Sequence, residues 1–588
     1  MIPTHSLPED AFLELAAGIG DSVVVRQLRE VQLSKHLMLL HVVARGAEEV
    51  DSSSLSTAAF RAGYQLLARA QEADPGAVAK VLCLPHVGSW AHDALASLDS
   101  GSAPDFGYLA AVAAAVAVRL GIRFELEVPV RDGCVPLPGL GFLEVSDCRD
   151  EWVRLSSDGK RLRIDEHIDV PCAALVPDDG SGGTAPHWRG IPLVRAVADG
   201  QDWEVLLETA DRYLDRFTLH VLTGITEAEV TSWRQCIQAA WELLVRHHAW
   251  AAGPIAEGVS VIVPLVPRSD HDSATSPAAF GAIATSLPPF PVIMAETLVH
   301  EFQHIKLCGL LDMLPLIEPS DRRGYAPWRD DPRPMGGILQ GVYAFTGIVR
   351  FWDVQRRVET EPDAILRANV LYERWRLELD PVTSTLLRKG SLTQTGTRFV
   401  TVLREHRQRE VCDPVPAEAV GIAEEVALDH RLTWQLMHTA LDAAEVARLA
   451  TAYELGESLG GQVLPEARIG DNLREIDSVS RSRLLNMRFQ DPQRYRRLSA
   501  PDIRELGDAD ALLVCGDPDA AVAAYRAALA NEPDPAAWIG LALAIHRLPA
   551  APSRWLFAAH LPLLFEVHAC LASRGIHADP LELAAWFE

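Results

Sequence analysis

The stretch ETLVHEFQHIKL, Glu296 to Leu307, places two histidines four residues apart with a glutamate directly after the first. In an α-helix residues i and i+4 stand one above the other on one face, so His300 and His304 can present two imidazoles to one metal ion. Glu301 is rotated off that axis but stays within reach of a metal-bound water or a substrate. The preceding AETLV begins an amphipathic helix. Just upstream lie two apolar runs, VSVIVPLV and FGAIATSL, which read as strands, followed by the Pro-rich approach PPFPV. Strands and then a metal helix is an order in which an edge strand can hold an extended peptide across a metal.

Outward from this motif the chain changes texture several times. Residues 1–121 read as helices: DSVVVRQLREVQLSKHLMLLHVVARGA carries the 3.6-residue period, and YLAAVAAAVAVRLG is an Ala-rich helix ending at Gly121. Residues 122–215 break into short alternating runs such as RFELEVPV, GFLEVSD and WEVLLET, separated by Gly, Pro and Asp-Gly, which predicts a β-rich module. Within it, PDDGSGGTAPH (Pro177 to His187) reads as a surface loop or flap. Residues 216–355 hold the motif and form the expected catalytic core. Residues 356–588 are mostly helical, and 516–548 resembles a single tetratricopeptide-type helix pair, which must stack on neighbouring helices because one pair cannot bury its own face. The expected fold is α+β and mostly α-helical, with a zincin-like metal helix beside short strands.

Composition narrows the function. A chain of 588 residues is too long for one ordinary core. Its net charge of −26 argues against tracking nucleic-acid phosphates or an anionic membrane surface. No run of about 18 apolar residues is present to span a bilayer, and MIPTHSLPEDAFLELAAG lacks the features of a signal peptide. Nine cysteines without a CxxC pair argue against a disulfide framework or a thiolate metal site, so a reducing cytoplasm is expected.

A protease needs a third ligand, and here the motif departs from the protease patterns. Where the metzincin pattern places Gly and His, this chain has Leu307 and Leu310. A gluzincin takes a Glu from a following helix, yet no Glu lies between Glu318 and Glu359, and no histidine between His304 and His406. The next helix, PMGGILQGVYAFTGIVRFW (Pro334 to Trp352), offers Gln340 and Tyr343. Gln340 stands where a gluzincin has its Glu, and a neutral amide is an unusual zinc ligand. Between the two helices, GYAPWRDDPRPMGG gathers Tyr325, Trp328, Arg329, Asp330, Asp331 and Arg333 in a Pro-rich loop. An arginine there can clamp a carboxylate bidentately, and Asp330 or Asp331 can supply the carboxylate of a two-His-one-carboxylate iron site. The plainer reading is a rigid surface loop whose two Asp residues pair with its own arginines. Elsewhere plain readings prevail. His247 and His248 read as helix-surface residues, His86 and His92 as positioning a turn and a helix, and Ser53 and Ser54 as the start of a helix, since no GxSxG elbow accompanies them.

The blocks LVHEFQHIKLCGLLDMLPL and YAPWRDDPRPMGGILQGVYAFTGIVRFW resemble the HExxH-motif putative peptide-modification proteins of actinobacterial ribosomal-peptide clusters. The specific part spans about residues 258–352, and weaker likeness extends upstream to LSKHLMLL. The resemblance implies Fe(II)- and 2-oxoglutarate-dependent β-hydroxylation of a residue, notably Asp, in a ribosomally made precursor peptide. On this sequence His300 and His304 match the metal motif, while Gln340 and the Tyr325–Arg333 loop match the family's second block. The resulting expectation is iron on His300 and His304 with Gln340 provisionally third, Arg329 or Arg333 on the distal carboxylate of 2-oxoglutarate, and Tyr325 or Tyr343 lining the pocket. Glu301 then orients a ligand or a peptide amide. The alternative is a zinc metallopeptidase in which Zn(2+) and Glu301 activate water to process the precursor peptide.

Overall fold

The computed structural model describes residues 5–588 apart from 50–53, 146–150, 166–167, 177–183, 215–218, 269–270, 390, 410–412, 460–462, 471–473, 477–478, 498–507, 531 and 549–550. The chain is mixed α+β with 61% helix and small sheets. It divides into two compact units, residues 1–316 and 317–588. The division falls inside the stretch 216–355 that the sequence groups as one core. The flap expected at 177–187 lies largely outside the described residues, as does Ser53.

Unit 1 opens with six helices: α1 (Glu9–Ala16), α2 (Ser22–Glu49), α3 (Leu55–Ala73), α4 (Pro75–Leu82), α5 (Pro85–Ser100) and α6 (Tyr108–Arg119). The Ala-rich α6 is buried along its length because small side chains let α3 and the following strands approach from both sides. Ser54 caps α3, its Oγ accepting from the Thr57 amide, so this serine starts a helix as its sequence context predicts. The β-rich module then forms as two antiparallel four-stranded sheets. In one, β1 (Phe124–Pro129), β4 (Trp152–Ser157), β5 (Arg161–Ile164) and β6 (Ile168–Pro171) follow in order. In the other the order is β2 (Cys134–Leu137), β3 (Gly141–Glu144), β8 (Trp188–Gly190) and β7 (Thr184–Ala185). Alternate residues of β4, Val153, Leu155 and Ser157, are buried, the period expected of a sheet with one covered face.

The sheet that positions the motif has the order β12–β13–β11–β10–β9. Its members are β9 (Leu193–Ala198), β10 (Gln201–Leu207), β11 (Val261–Pro264), β12 (Ser273–Ala274) and β13 (Ala282–Thr285). β10, β11 and β13 run parallel, while β9 and β12 are antiparallel edges. The short α7 (Cys172–Leu175) follows β6, and the parallel connection from β10 to β11 passes through α8 (Glu227–His247) and α9 (Ala249–Gly258). Every residue of β11 and β13 is buried, as expected of parallel strands covered on both faces. After β13, Pro291 at the first helical position starts α10 (Pro291–Leu311), which packs on α2, α8 and α9. The face of α10 remote from the histidines is also buried. There the Gln303 amide donates to Gly18 O at 2.9 Å, and the Lys306 ammonium donates to the carbonyls of Gly18 and Ile19, tying the turn after α1 to α10.

Unit 2 begins with a two-stranded ribbon, β14 (Arg323–Gly324) with β15 (Arg333–Pro334), which closes the Tyr325–Arg333 loop. Four long helices follow: α11 (Met335–Val358), α12 (Pro362–Lys389), α13 (Gln394–Arg409) and α14 (Ala417–His438). Most of the remaining described helices, among them Pro518–Leu529 and Pro535–His546, share one hydrophobic core with α14. The tetratricopeptide-like pair thus exists as two helices and buries its face against neighbours. No helix of the described residues is long and apolar enough to cross a membrane.

Candidate metal centre and the Tyr325–Arg333 loop

On α10 the rings of His300 and His304 lie with centroids 4.9 Å apart and planes at 77°. Both side chains are partly exposed while the flanking residues Val299, Glu301, Phe302 and Ile305 are buried. Burial, reinforced by the neighbouring His304, holds the His300 pKa well below its ordinary value, so its imidazole is neutral and can act as a ligand. Glu301 is 3% exposed. Its Oε1 accepts from Ser273 Oγ at 2.7 Å, Thr275 adds a further side-chain hydrogen bond, and Oε2 is buried without a hydrogen-bond partner. Burial raises the Glu301 pKa, and His304 and the two hydroxyls oppose that rise.

Ser273 belongs to the antiparallel edge strand β12, so the edge strand and the motif helix are joined directly through the motif glutamate. A second link runs beside it. His271 bonds through Nδ1 to Ser286 Oγ at 3.1 Å and through Nε2 to Thr297 Oγ1 at 2.9 Å, one helical turn before Glu301. Ser273, Thr275 and His271 escape a reading of the motif alone. The polar run HDSATS just ahead of the buried strand β13 is the signal that could have found them.

Two imidazoles at i and i+4 suit iron or zinc, and the orphaned Glu301 oxygen beside them is a buried polar group still short of a partner. Among the described residues no group of three or more His, Cys, Asp or Glu side chains gathers to hold a metal. Gln340, the provisional third donor, lies on α11 of unit 2 and is half-buried, and Tyr343 one turn on is buried against Phe399.

Within unit 2 the loop follows its plainer reading in part. Asp331 is bridged by Arg329 at 3.2 Å and Arg333 at 3.1 Å. Burial pushes the Asp331 pKa up, but its two arginines leave it below the ordinary value. Asp330 faces His430 of α14 at 3.5 Å, and that contact lowers its pKa. The Tyr325 hydroxyl is hydrogen-bonded to His430 Nδ1 at 2.8 Å, and burial, with Glu378 adding to it, holds the phenol well above its usual pKa. Sequence reasoning missed His430, Arg374 and Glu378, which arrive from α12 and α14 and carry no motif of their own. It also misplaced His248, which is fully buried while His247 is exposed. The capping turn that ends α8 at His248 rolls this ring inward. His86 is buried too and pairs with Glu208 at 2.9 Å, and His92 Nδ1 lies 2.9 Å from Gly88 O within its own helix.

No protein-family model matches this chain, and no curated protein does either.

Proposed function

We propose that this chain is an Fe(II)- and 2-oxoglutarate-dependent oxygenase that hydroxylates a side chain, at a β-carbon such as that of Asp, in a ribosomally made precursor peptide. The carrying observation is the pair of imidazoles of His300 and His304 on one face of a helix, beside a glutamate already engaged by an edge strand. The motif resemblance over 258–352 supplies the reaction class. Bound iron with 2-oxoglutarate supplies the oxidising power for breaking a C–H bond.

The chain's own groups do the rest. His300 and His304 hold the metal, and Gln340 is proposed as the third protein donor. Ser273 and Thr275 keep one Glu301 oxygen occupied, which leaves Oε2 to accept from a ligand or a peptide amide. The antiparallel edge strand β12 offers an extended peptide a place beside α10. Arg329 or Arg333 is proposed to receive the distal carboxylate of the cosubstrate.

A second reading, a zinc metallopeptidase, is favoured by the same orphaned oxygen, because a buried glutamate with a raised pKa beside two imidazoles is also placed to take a proton from water. Glu301→Gln separates the two. In the oxygenase the variant retains iron and still converts 2-oxoglutarate to succinate in the presence of O2. A variant that keeps its metal yet is inert towards 2-oxoglutarate, alongside a wild-type protein that cleaves peptide, would establish the peptidase.

A further inference from the structure

Unit 2 contains a cavity of about 630 Å³ bounded by the loop at Pro327–Asp331 and by α11, α12 and α14. Its wall is aromatic. Trp328 and Phe345 stack with centroids 4.9 Å apart at 17°, and Phe345 meets Trp375 at 4.2 Å. Arg374 lies over the Trp375 ring, its guanidinium carbon 4.6 Å from the centroid. The stacked face of that guanidinium is covered, but its donor edge is not paired. Arg374 Nε is buried without a hydrogen-bond partner, and among the described residues Arg374 forms no ion pair.

Glu378 is a weak counter-charge to Arg374. Glu378, one helical turn on and 5% exposed, also keeps a buried oxygen without a partner. Burial lifts its pKa against the pull of Arg431 and Arg374, which favours the neutral acid. The other charges at the rim are already matched: Asp331 to Arg329 and Arg333, Asp330 to His430. The cavity wall carries Arg329 and Arg374 against Asp330 and Asp331, and with both aspartates already matched Arg374 is the lining guanidinium without an ion pair. A guanidinium in a partly desolvated place without an acceptor is costly, and a bidentate carboxylate is the group whose geometry matches its fork. Flat aromatic walls suit a planar acid group better than a tetrahedral phosphate.

We propose that this cavity binds an organic carboxylate, held by the Arg374 guanidinium against the Trp375 face. The proposal rests on the cavity's own chemistry and is independent of the metal reading. The carboxylate can belong to a free small acid or to an acidic side chain of a peptide.

Calorimetric titration of the full-length protein, stripped of metal, distinguishes these. Glutarate is the first probe, because it lacks the oxo group that chelates metal. Its diamide is the uncharged control, and N-acetyl-aspartate amide represents a peptide side chain. Glutarate or the aspartate derivative is expected to bind saturably and the diamide not to bind, whichever acid binds more tightly naming the source. Arg374→Gln is expected to weaken binding at least tenfold, and Arg374→Lys, which keeps the charge but loses the fork, to weaken it less. Arg388→Gln, on the exposed face of the same helix, leaves binding unchanged. Should Arg374→Gln fail to fold, Arg374→Lys carries the comparison alone. Equal binding of diamide and acid, unchanged binding in both Arg374 variants, or no binding of either acid would overturn the proposal.

Discussion

Replacing Gly341 by alanine sets two effects of opposite sign against each other at the wall of the unit 2 cavity. Gly341 is the seventh residue of α11, where alanine is favoured over glycine by about 1 kcal/mol from backbone entropy alone. A Cβ built there, however, comes within 2.5 Å of Trp328 Nε1 and closer still to two carbons of the same indole. The ring cannot slide away freely, because Phe345 stacks on it and Trp375 backs Phe345. Overpacking costs about 1–3 kcal/mol, and a clash this close to a ring held by its neighbours belongs near the upper end, about 2–3 kcal/mol, so Gly341→Ala is expected to be about 1–2 kcal/mol less stable. Gly421 in α14 is the matched control, since nothing lies within 4 Å of its Cβ. Gly421→Ala should therefore gain about 0.5–1 kcal/mol. With about 2–4 °C per kcal/mol for a unit of this size, calorimetric melting should move the two variants in opposite directions and separate them by roughly 3–12 °C. The displaced indole should also weaken carboxylate binding. Two variants of equal stability, with carboxylate binding intact in Gly341→Ala, would refute the packing argument.

Three further outcomes follow from buried groups. His36 is 1% exposed and its pKa is lowered from 6.5 to about 4, burial outweighing its 2.7 Å hydrogen bond to Leu82 O. A base with a lowered folded pKa stabilises the fold above 6.5 and loses that contribution as pH falls towards 4. The cost is about 2 kcal/mol by pH 5, and the stability of His36→Asn should fall less steeply over that window in pH-dependent urea unfolding. Glu208→Ala would strand His86 at full burial and cost about 3–5 kcal/mol, with Glu208→Gln milder because it can still accept from the amides of Ala210 and Asp211; thermal melting of each variant reads the difference. Arg481, 1% exposed, pairs with Asp429 at 3.2 Å and Asp510 at 3.3 Å, so Arg481→Met should lower the melting temperature of unit 2 by an amount equivalent to about 3–5 kcal/mol, and an unchanged melt would count against this pairing.

The elements of this fold announce themselves locally. The alternation in WVRLSS becomes β4, the apolar runs VSVIVPLV and FGAIATSL become the buried strands β11 and β13, and PPFPV leads into α10 with proline at its first position. The i, i+4 spacing of His300 and His304 gives two neighbouring rings for the same reason. What the sequence could not disclose is pairing across long separations. Ser273 reaches Glu301 over 28 residues, His430 reaches Tyr325 over 105, and neither partner has a local pattern that depends on the other. The division at Leu316 and Ile317 is hidden for a similar reason, since an unbroken run of good helix and loop signals crosses it. His248 shows the limit of reading faces from spacing. It ends a helix, and there the chain turns the ring inward whatever the period predicts.

The central claim is that His300 and His304 hold iron for 2-oxoglutarate chemistry and not zinc for hydrolysis. The direct measurement is an anaerobic titration of the Fe(II)-loaded full-length protein with 2-oxoglutarate, following the visible metal-to-ligand charge-transfer band. A saturable band that is lost in His300→Ala is the predicted result. No band, in a protein that instead retains tightly bound zinc, would contradict the account and place the peptidase reading first.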